Sequence, residues 1–168
     1  AVVDGTLNLS DMAMDIGIRS DRFKPLPLEE KDSIPYFGNV VAGLDVMLAG
    51  TPDKLDISGD VTVLPETEVT YNIDRKNYVH VKPSGKVSVK FPIGGDILLN
   101  GRIDVRQGVI RYSPPYYPFE PFTIDPESNV TFNGPLDRMA LNVAATQRAR
   151  AIVGDVGDRT KEVDFIVG

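Results

Sequence analysis

The stretch ILLNGRIDVRQGVIRY, residues 97–112, decides the fold class of this chain. Apolar and polar side chains alternate along its first half, which is the pattern of a β-strand with one apolar and one wet face. The apolar side of the alternation holds Ile97, Leu99, Ile103 and Val105. The polar side holds Asp96, Asn100, Arg102 and Asp104. The question that follows is what covers the apolar face.

The same period of two recurs along almost the whole chain. It is clear in TLNLS from Thr6, in KLDISGDVTVL from Lys54 and in KVSVKFPI from Lys86. Turn-forming residues such as Pro83-Ser84-Gly85 and Gly94-Gly95 separate the runs. We therefore predict an all-β protein built on an antiparallel or mixed sheet.

Two segments share an outline, which indicates a weak internal repeat. GDVTVLPETEVTYNI from Gly59 and GRIDVRQGVIRYS from Gly101 each run from glycine through alternating aliphatics and a short polar link to a tyrosine. We interpret each as a hairpin, and FTIDPESNVTFNG, 122–134, as a third hairpin that turns at 125–128. Stacked hairpins predict a repetitive sheet, and glycines 59 and 101 would let its strands bend or approach closely.

Composition excludes several classes of function. The chain has 168 residues and a net charge of −6, so nothing favours nucleic-acid binding. It has no cysteine, hence no disulfide or thiolate chemistry. No stretch approaches the roughly 18 apolar residues of a membrane helix. The chain begins without Met or a signal peptide, and we expect it to be a piece of a longer protein.

Reactive side chains are sparse. The one histidine, His80, alternates with Val79 and Val81, which predicts a solvated strand position rather than a catalytic base. Glu66 and Glu68 could in principle form a carboxylate pair, but they lie in a turn. We therefore predict no enzymatic activity, no metal site and no cofactor.

Two arrangements of the sheet could account for its apolar faces. In a β-sandwich they pack on each other. In a bent, open trough they stay uncovered and must hold something, because a large exposed apolar strip invites aggregation. Acyl chains suit such a trough, since each buried methylene contributes about 0.8 kcal/mol. The residues alone leave both arrangements open.

A family resemblance favours the trough. The stretches DKLDISGDVTVLPETEVTYNI (53–73), LNGRIDVRQGVIRY (99–112) and FTIDPESNVTFNGPLDRMALNVAA (122–145) cover about half of the chain. They resemble the C-terminal domain of TamB of the translocation and assembly module, in the AsmA-like family. The third stretch carries the pattern on Phe122, Ile124, Ser128, Val130, Phe132, Gly134, Leu141 and Val143.

The resemblance implies a β-taco, a long curved sheet with a hydrophobic inner groove. Residues 1–168 would be a single β-taco fragment of a larger TamB-like protein, located in the periplasm of a Gram-negative bacterium. An N-terminal helix outside this fragment would anchor the protein in the inner membrane, and an outer-membrane barrel of the TamA or BamA type would be its partner.

The implied function is passive carriage of phospholipid between the two membranes in support of outer-membrane biogenesis. The alternative is an assembly factor that inserts outer-membrane β-barrel proteins such as autotransporters. The residues expected to line the groove and contact acyl chains are Leu55, Ile57, Val61, Val63, Val69, Tyr71, Ile73, Val87, Val89, Phe91, Ile97, Leu99, Ile103, Val105, Phe132, Leu141 and Val143.

The segment SPPYYPFEPF, 113–122, does not fit the family pattern. Its prolines favour an extended connection whose rings pack on the sheet edge. A third class of function, a carbohydrate-binding or adhesive sandwich, would instead place a glycan site near Tyr116, Tyr117 and Phe119.

Overall fold

The computed structural model of the chain describes residues 1–25, 29, 34–113, 121–152 and 160–167. These residues form one 13-stranded sheet in which every pairing is antiparallel. The sheet path begins at β1 and ends at β13, with no pairing that closes it into a barrel. The prediction of an all-β protein with a long curved sheet is confirmed, and the sheet is antiparallel rather than mixed.

The strands follow one another closely along the chain. They are β1 (Val2–Leu7), β2 (Met14–Phe23), β3 (Tyr36–Asn39), β4 (Ala42–Thr51), β5 (Lys54–Val63), β6 (Glu68–Asn72), β7 (Tyr78–Pro92), β8 (Leu98–Arg111), β9 (Phe122–Ile124), β10 (Asn129–Pro135), β11 (Ala140–Asn142), β12 (Ala145–Ile152) and β13 (Thr160–Val167). A single 3-10 turn, Leu136–Arg138, links β10 to β11. Short connections of this kind keep antiparallel neighbours adjacent in sequence.

In four places, two strands that follow each other in the chain lie in one line and form a longer strand with an interruption. Both β5 and β6 pair with β7, and both β9 and β10 pair with β8. In the same way β3 continues into β4, and β11 continues into β12. The sheet is therefore a meander of nine antiparallel lines in sequence order.

The three predicted hairpins are wrong. Residues 59–73 run in one direction through β5 and β6, residues 101–111 belong to the single strand β8, and 125–128 is a bulge between β9 and β10. The bulge stays in the ladder because the Val105 amide donates to the Ser128 carbonyl at 2.8 Å. A polar link interrupts the alternation whether the chain reverses there or only bulges, so periodicity cannot separate the two cases.

The interruptions lie side by side and form a line across the sheet, here called the seam. Hydrogen bonds connect them in order: Leu64 donates to the Val41 carbonyl, Val105 to Ser128, and Asp125 to Ala144. The register between β7 and β8 shifts between Lys82 and Pro83, where the pairing passes over Arg106 of β8. The seam comprises residues 40–41, 64–67, 82–83, 105–107, 125–128 and 143–144.

The seam is where this sheet buries its side chains. Within the described residues, most side chains that are almost inaccessible lie in the seam or next to it: Val41, Ala42, Thr67, Val105, Ile124, Ser128 and Asn129. Thr67 shows how the line is held, since its hydroxyl accepts a bond from the Val41 amide at 3.0 Å and donates to the Val41 carbonyl at 2.9 Å. Aligned bulges increase twist and bend a sheet, so we expect the sheet to bend along the seam.

No second layer covers the sheet within the described residues. Each pair of strands in substantial contact is a pair of hydrogen-bonded neighbours in the sheet. The accessible surface is 12225 Å², about one and a half times the roughly 8,200 Å² that a compact monomer of 18.4 kDa exposes. This large exposed surface argues against the alternative of a β-sandwich.

Gly59 and Gly101 mark places where backbones approach closely, as predicted. Their φ angles are +151° and +141°, a region that side-chain-bearing residues rarely adopt. A Cβ on Gly59 would overlap the Asp45 carbonyl oxygen of the neighbouring strand, and one on Gly101 would overlap the Lys86 carbonyl oxygen. Both glycines lie on the apolar face, where each allows the backbone of a neighbouring strand to approach closely.

Candidate functional site

The register of the sheet places the predicted lining residues on one face. Ile57 pairs with both Leu48 and Phe91, and Val61 pairs with both Leu44 and Val87. Directly paired residues of antiparallel strands project to the same side. The predicted residues that strand pairing places on this common side are Leu55, Ile57, Val61, Val63, Val69, Tyr71, Val87, Val89, Phe91, Leu99, Ile103, Val105, Phe132 and Leu141. We call this side the apolar face.

The remaining three predicted residues lie just outside the strands. Ile73 follows β6, Ile97 precedes β8 and Val143 follows β11, each by one residue. All three are exposed. They extend the apolar surface at the ends of strands, but no pairing fixes their side.

The apolar face is larger than predicted. Pairing adds residues from the first fifty and from the far side of the seam: Leu7, Met14, Ile16, Ile18, Leu44, Val46, Leu48, Val79, Val81, Ile110, Phe122 and Val130. Alternation in MAMDIGI and LDVML was a sufficient signal for the first group.

Most side chains of the apolar face are partly exposed to solvent. Val87 and Val105 are buried, whereas Leu141, Tyr71 and Leu7 are exposed. Residues such as Ile57 and Val61 have intermediate exposure because side chains beside them on the same face cover their flanks. What this part of the chain lacks is any element lying over them.

The opposite face is charged and internally paired. Lys86 Nζ lies 2.7 Å from Asp60 Oδ2, and Arg19 Nε lies 3.1 Å from Asp45 Oδ1. The bond from Lys86, with one from the Ser88 hydroxyl, lowers the pKa of the Asp60 carboxyl. A bond from Lys82 lowers the pKa of Glu68 in the same way. These groups are charged at neutral pH, so water solvates this side of the sheet.

His80 lies on the charged face, as predicted, where its Nδ1 is 2.9 Å from the Thr70 hydroxyl. In the described part of the chain no three His, Cys, Asp or Glu side chains are grouped to hold a metal ion. Nor do the described residues contain a helix long and apolar enough to cross a membrane. What the arrangement offers chemically is non-covalent binding of apolar material; the absence of enzymatic activity stays a prediction.

The suggested glycan site at Tyr116, Tyr117 and Phe119 lies outside the described residues. Comparison with protein-family models, with curated proteins and with solved structures finds no match. The likeness to TamB therefore stays a resemblance carried by the quoted motifs.

Proposed function

We propose that this chain is a segment of a lipid conduit whose apolar face carries the acyl chains of phospholipids. The observation that supports this most directly is the continuity of the uncovered face. Apolar residues follow one another across adjacent strands, as in the row Ile16, Leu48, Ile57 and Phe91. An exposed apolar surface of this extent in a folded protein marks a binding site.

The dimensions of the apolar face favour an extended binding surface over a pocket for one ligand. Nine strand lines spaced about 4.8 Å apart extend for about 40 Å across the strands. The hydrocarbon of one bilayer leaflet is only about 15 Å thick, half of a core of about 30 Å. The face is thus longer than a single acyl chain, and a lipid bound at one point has free apolar surface ahead of it.

Burial of acyl chains supplies enough free energy for binding. A chain of about sixteen carbons gains on the order of 10 kcal/mol before entropic costs, at about 0.8 kcal/mol per methylene. Because the same side chains recur from strand to strand, the gain differs little between neighbouring positions. A flat energy profile of this kind permits passive movement along the sheet.

The cellular setting in the proposal rests on the resemblance. The chain would be a fragment of a periplasmic protein that is anchored in the inner membrane and meets an outer-membrane barrel of the TamA or BamA type. It would move phospholipid between the two membranes. No step of this role requires a catalytic side chain or a cofactor.

Photo-crosslinking tests the proposal at adjacent positions on opposite faces. A photoreactive phenylalanine analogue replaces Val61 on the apolar face or Thr62 on the charged face. After expression in a Gram-negative host and irradiation, mass spectrometry should detect phospholipid adducts on the Val61 probe and few on the Thr62 probe. Equal labelling of the two probes, or none on either, would reject the proposal.

The second candidate, an assembly factor for outer-membrane β-barrel proteins, is favoured by the sheet edge. Among the described residues β1 pairs only with β2, which leaves its outer backbone groups without a strand partner there, and its residues are exposed. A barrel-strand peptide could add there. Protection of β1 amides from hydrogen exchange by such a peptide, without lipid adducts at Val61, would favour this candidate.

A further inference from the structure

One rim of the sheet combines exposed tyrosines with a basic turn. Tyr36 and Tyr71 form a cross-strand pair on the apolar face and are 50% and 49% exposed. Tyr112, which is 51% exposed, follows the end of β8. The turn at residues 74–77, between β6 and β7, adds the exposed cations Arg75 and Lys76. We call this set the tyrosine rim.

Hydrogen bonds hold the basic turn in a fixed shape. The Asp74 carboxylate accepts from the Lys76 amide at 2.7 Å, from the Asn77 amide at 2.8 Å and from the Asn77 side chain at 2.6 Å. The Asn77 side chain also accepts from the Ser113 amide at 2.6 Å, which ties the turn to the end of β8. The carboxylate accepts hydrogen bonds from amide groups of the turn, and it attracts Lys76 without forming an ion pair with it.

The cations of the turn differ from three cations that lie on the charged face. Arg19, Lys86 and Arg102 each pair with a carboxylate. Within the described residues neither Arg75 nor Lys76 forms an ion pair. They are available to an anion from outside the chain.

The opposite rim has the reverse character. Each of its four hairpin turns carries an aspartate: Asp11, Asp53, Asp96 and Asp137. Lys54 and Arg138 offset two of these charges, and no tyrosine lies in these turns. The described turn at residues 74–77, with two cations and one aspartate, therefore differs in charge from these four turns.

Along the strands, polarity changes in the order found from water to hydrocarbon in a lipid leaflet. The outermost groups are Arg75 and Lys76, Ile73 and Tyr71 come next, and aliphatic residues such as Val69 and Val81 follow toward the seam. Tyrosine prefers the headgroup level, and cations attract lipid phosphates. The rim has the side-chain sequence that a bound phospholipid would require.

We propose that the tyrosine rim binds the phosphate of an anionic phospholipid whose acyl chains lie on the apolar face. Arg75 and Lys76 contact the phosphate, the tyrosines lie beside the glycerol level, and the acyl chains run from Val69 and Val81 toward the seam. This inference rests on the proposed lipid-conduit function and adds to it a headgroup preference and a binding end.

Vesicle flotation with charge-matched variants tests the inference. The variant Arg75→Gln/Lys76→Gln removes one arginine and one lysine from the tyrosine rim, and the control Arg138→Gln/Lys54→Gln removes the same pair from the opposite rim. The probes are vesicles of phosphatidylglycerol and of phosphatidylcholine. The parent chain should prefer phosphatidylglycerol; the rim variant should lose about tenfold of that binding, and the control should keep it.

A fluorescent probe at Tyr71 reports whether the tyrosines lie at the headgroup level of a bound lipid. The chain has no tryptophan, so Tyr71→Trp introduces a single reporter. Its emission should shift to the blue with phosphatidylglycerol vesicles, whereas that of Thr62→Trp on the charged face should not. The shift should weaken in high salt, because screening reduces attraction to the phosphates.

The outcomes separate the inference from the proposed function. Equal losses in the two charge-matched variants, or no preference for phosphatidylglycerol, would overturn the inference, and lipid adducts at Val61 would still uphold the conduit. Absence of lipid adducts at Val61 would overturn the conduit and the inference that depends on it. A selective loss in the rim variant, together with those adducts, supports both.

Discussion

At the scale of single residues, glycines on opposite faces of this sheet have different roles. A Cβ on Gly43, on the charged side of β4, would meet its nearest atom, the Asp21 carbonyl oxygen, at 3.5 Å. A Cβ on Gly59, on the apolar side of β5, would overlap the Asp45 carbonyl oxygen and lie 2.6 Å from Val46 Cα. Only the second position requires the absence of a side chain.

Gly59→Ala should therefore destabilise the chain by at least about 2 kcal/mol, because it adds a backbone clash to an unfavourable φ. Gly43→Ala is the control and should stay within about 0.5 kcal/mol of the parent. Urea denaturation followed by circular dichroism measures both. Similar stabilities for the two variants would contradict the close approach at Gly59.

Asp74 provides a prediction about pH. The Lys76 amide, followed by the side chain and amide of Asn77, holds the pKa of this carboxyl below its ordinary value of 3.8. A depressed folded-state pKa means that the carboxylate stabilises the turn above the unfolded value and that this contribution is lost as pH falls through the folded value. The amide resonances of Lys76 and Asn77 should therefore titrate with a midpoint below 3.8, and in Asp74→Asn this titration should vanish.

At the scale of elements, the chain uses bulges where its sequence suggests turns. Leu64–Thr67 and Asp125–Ser128 each contain a proline and polar residues, which is typical of a turn. The Thr67 amide donates to the Leu64 carbonyl at 3.0 Å, and the Ser128 amide donates to the Asp125 carbonyl at 3.0 Å. A local turn forms, yet the strand resumes in the same direction because its neighbour continues beside it.

Thr67→Val tests whether the seam stabilises the sheet. The substitution keeps the shape of the side chain but removes the hydroxyl that satisfies the buried Val41 amide. We expect a loss of about 1–3 kcal/mol, the cost of leaving a buried donor unpaired. Thr62→Val, on the charged face of the preceding strand, should change the free energy of unfolding by less than about 0.5 kcal/mol. Equal effects would show that the seam bond is dispensable.

At the scale of the whole molecule, the absence of a covering layer from the described residues distinguishes a binding face from a core. A charge placed in a sealed core must be buried without a partner, which costs several kcal/mol. A charge placed on an open face can reach water. The two arrangements therefore predict different results for the same substitution.

Val61→Asp should leave the chain folded, with a loss of about 1–2 kcal/mol from reduced packing against Leu44 and Val87. The same substitution should abolish co-purification of phospholipid, because a carboxylate on the apolar face repels acyl chains. Thr62→Asp, on the charged face, should retain both folding and lipid. Denaturation and mass spectrometry of extracted lipid measure the two properties. Complete unfolding of Val61→Asp would favour a sealed core.

The alternation of side chains was sufficient to predict an all-β chain and to place the lining residues within strands on one side, because in a strand successive side chains project to opposite faces whatever the neighbours are. Three features needed the tertiary structure. The first is whether residues 64–67 reverse the chain or bulge, which depends on β7 beside them. The second is whether the apolar face is covered, which depends on which strands touch. The third is the tyrosine rim, because only strand pairing brings residues 36, 71 and 112 to one end of the sheet. Local sequence sets the direction of each side chain, whereas register and long-range contact decide which side chains share a surface.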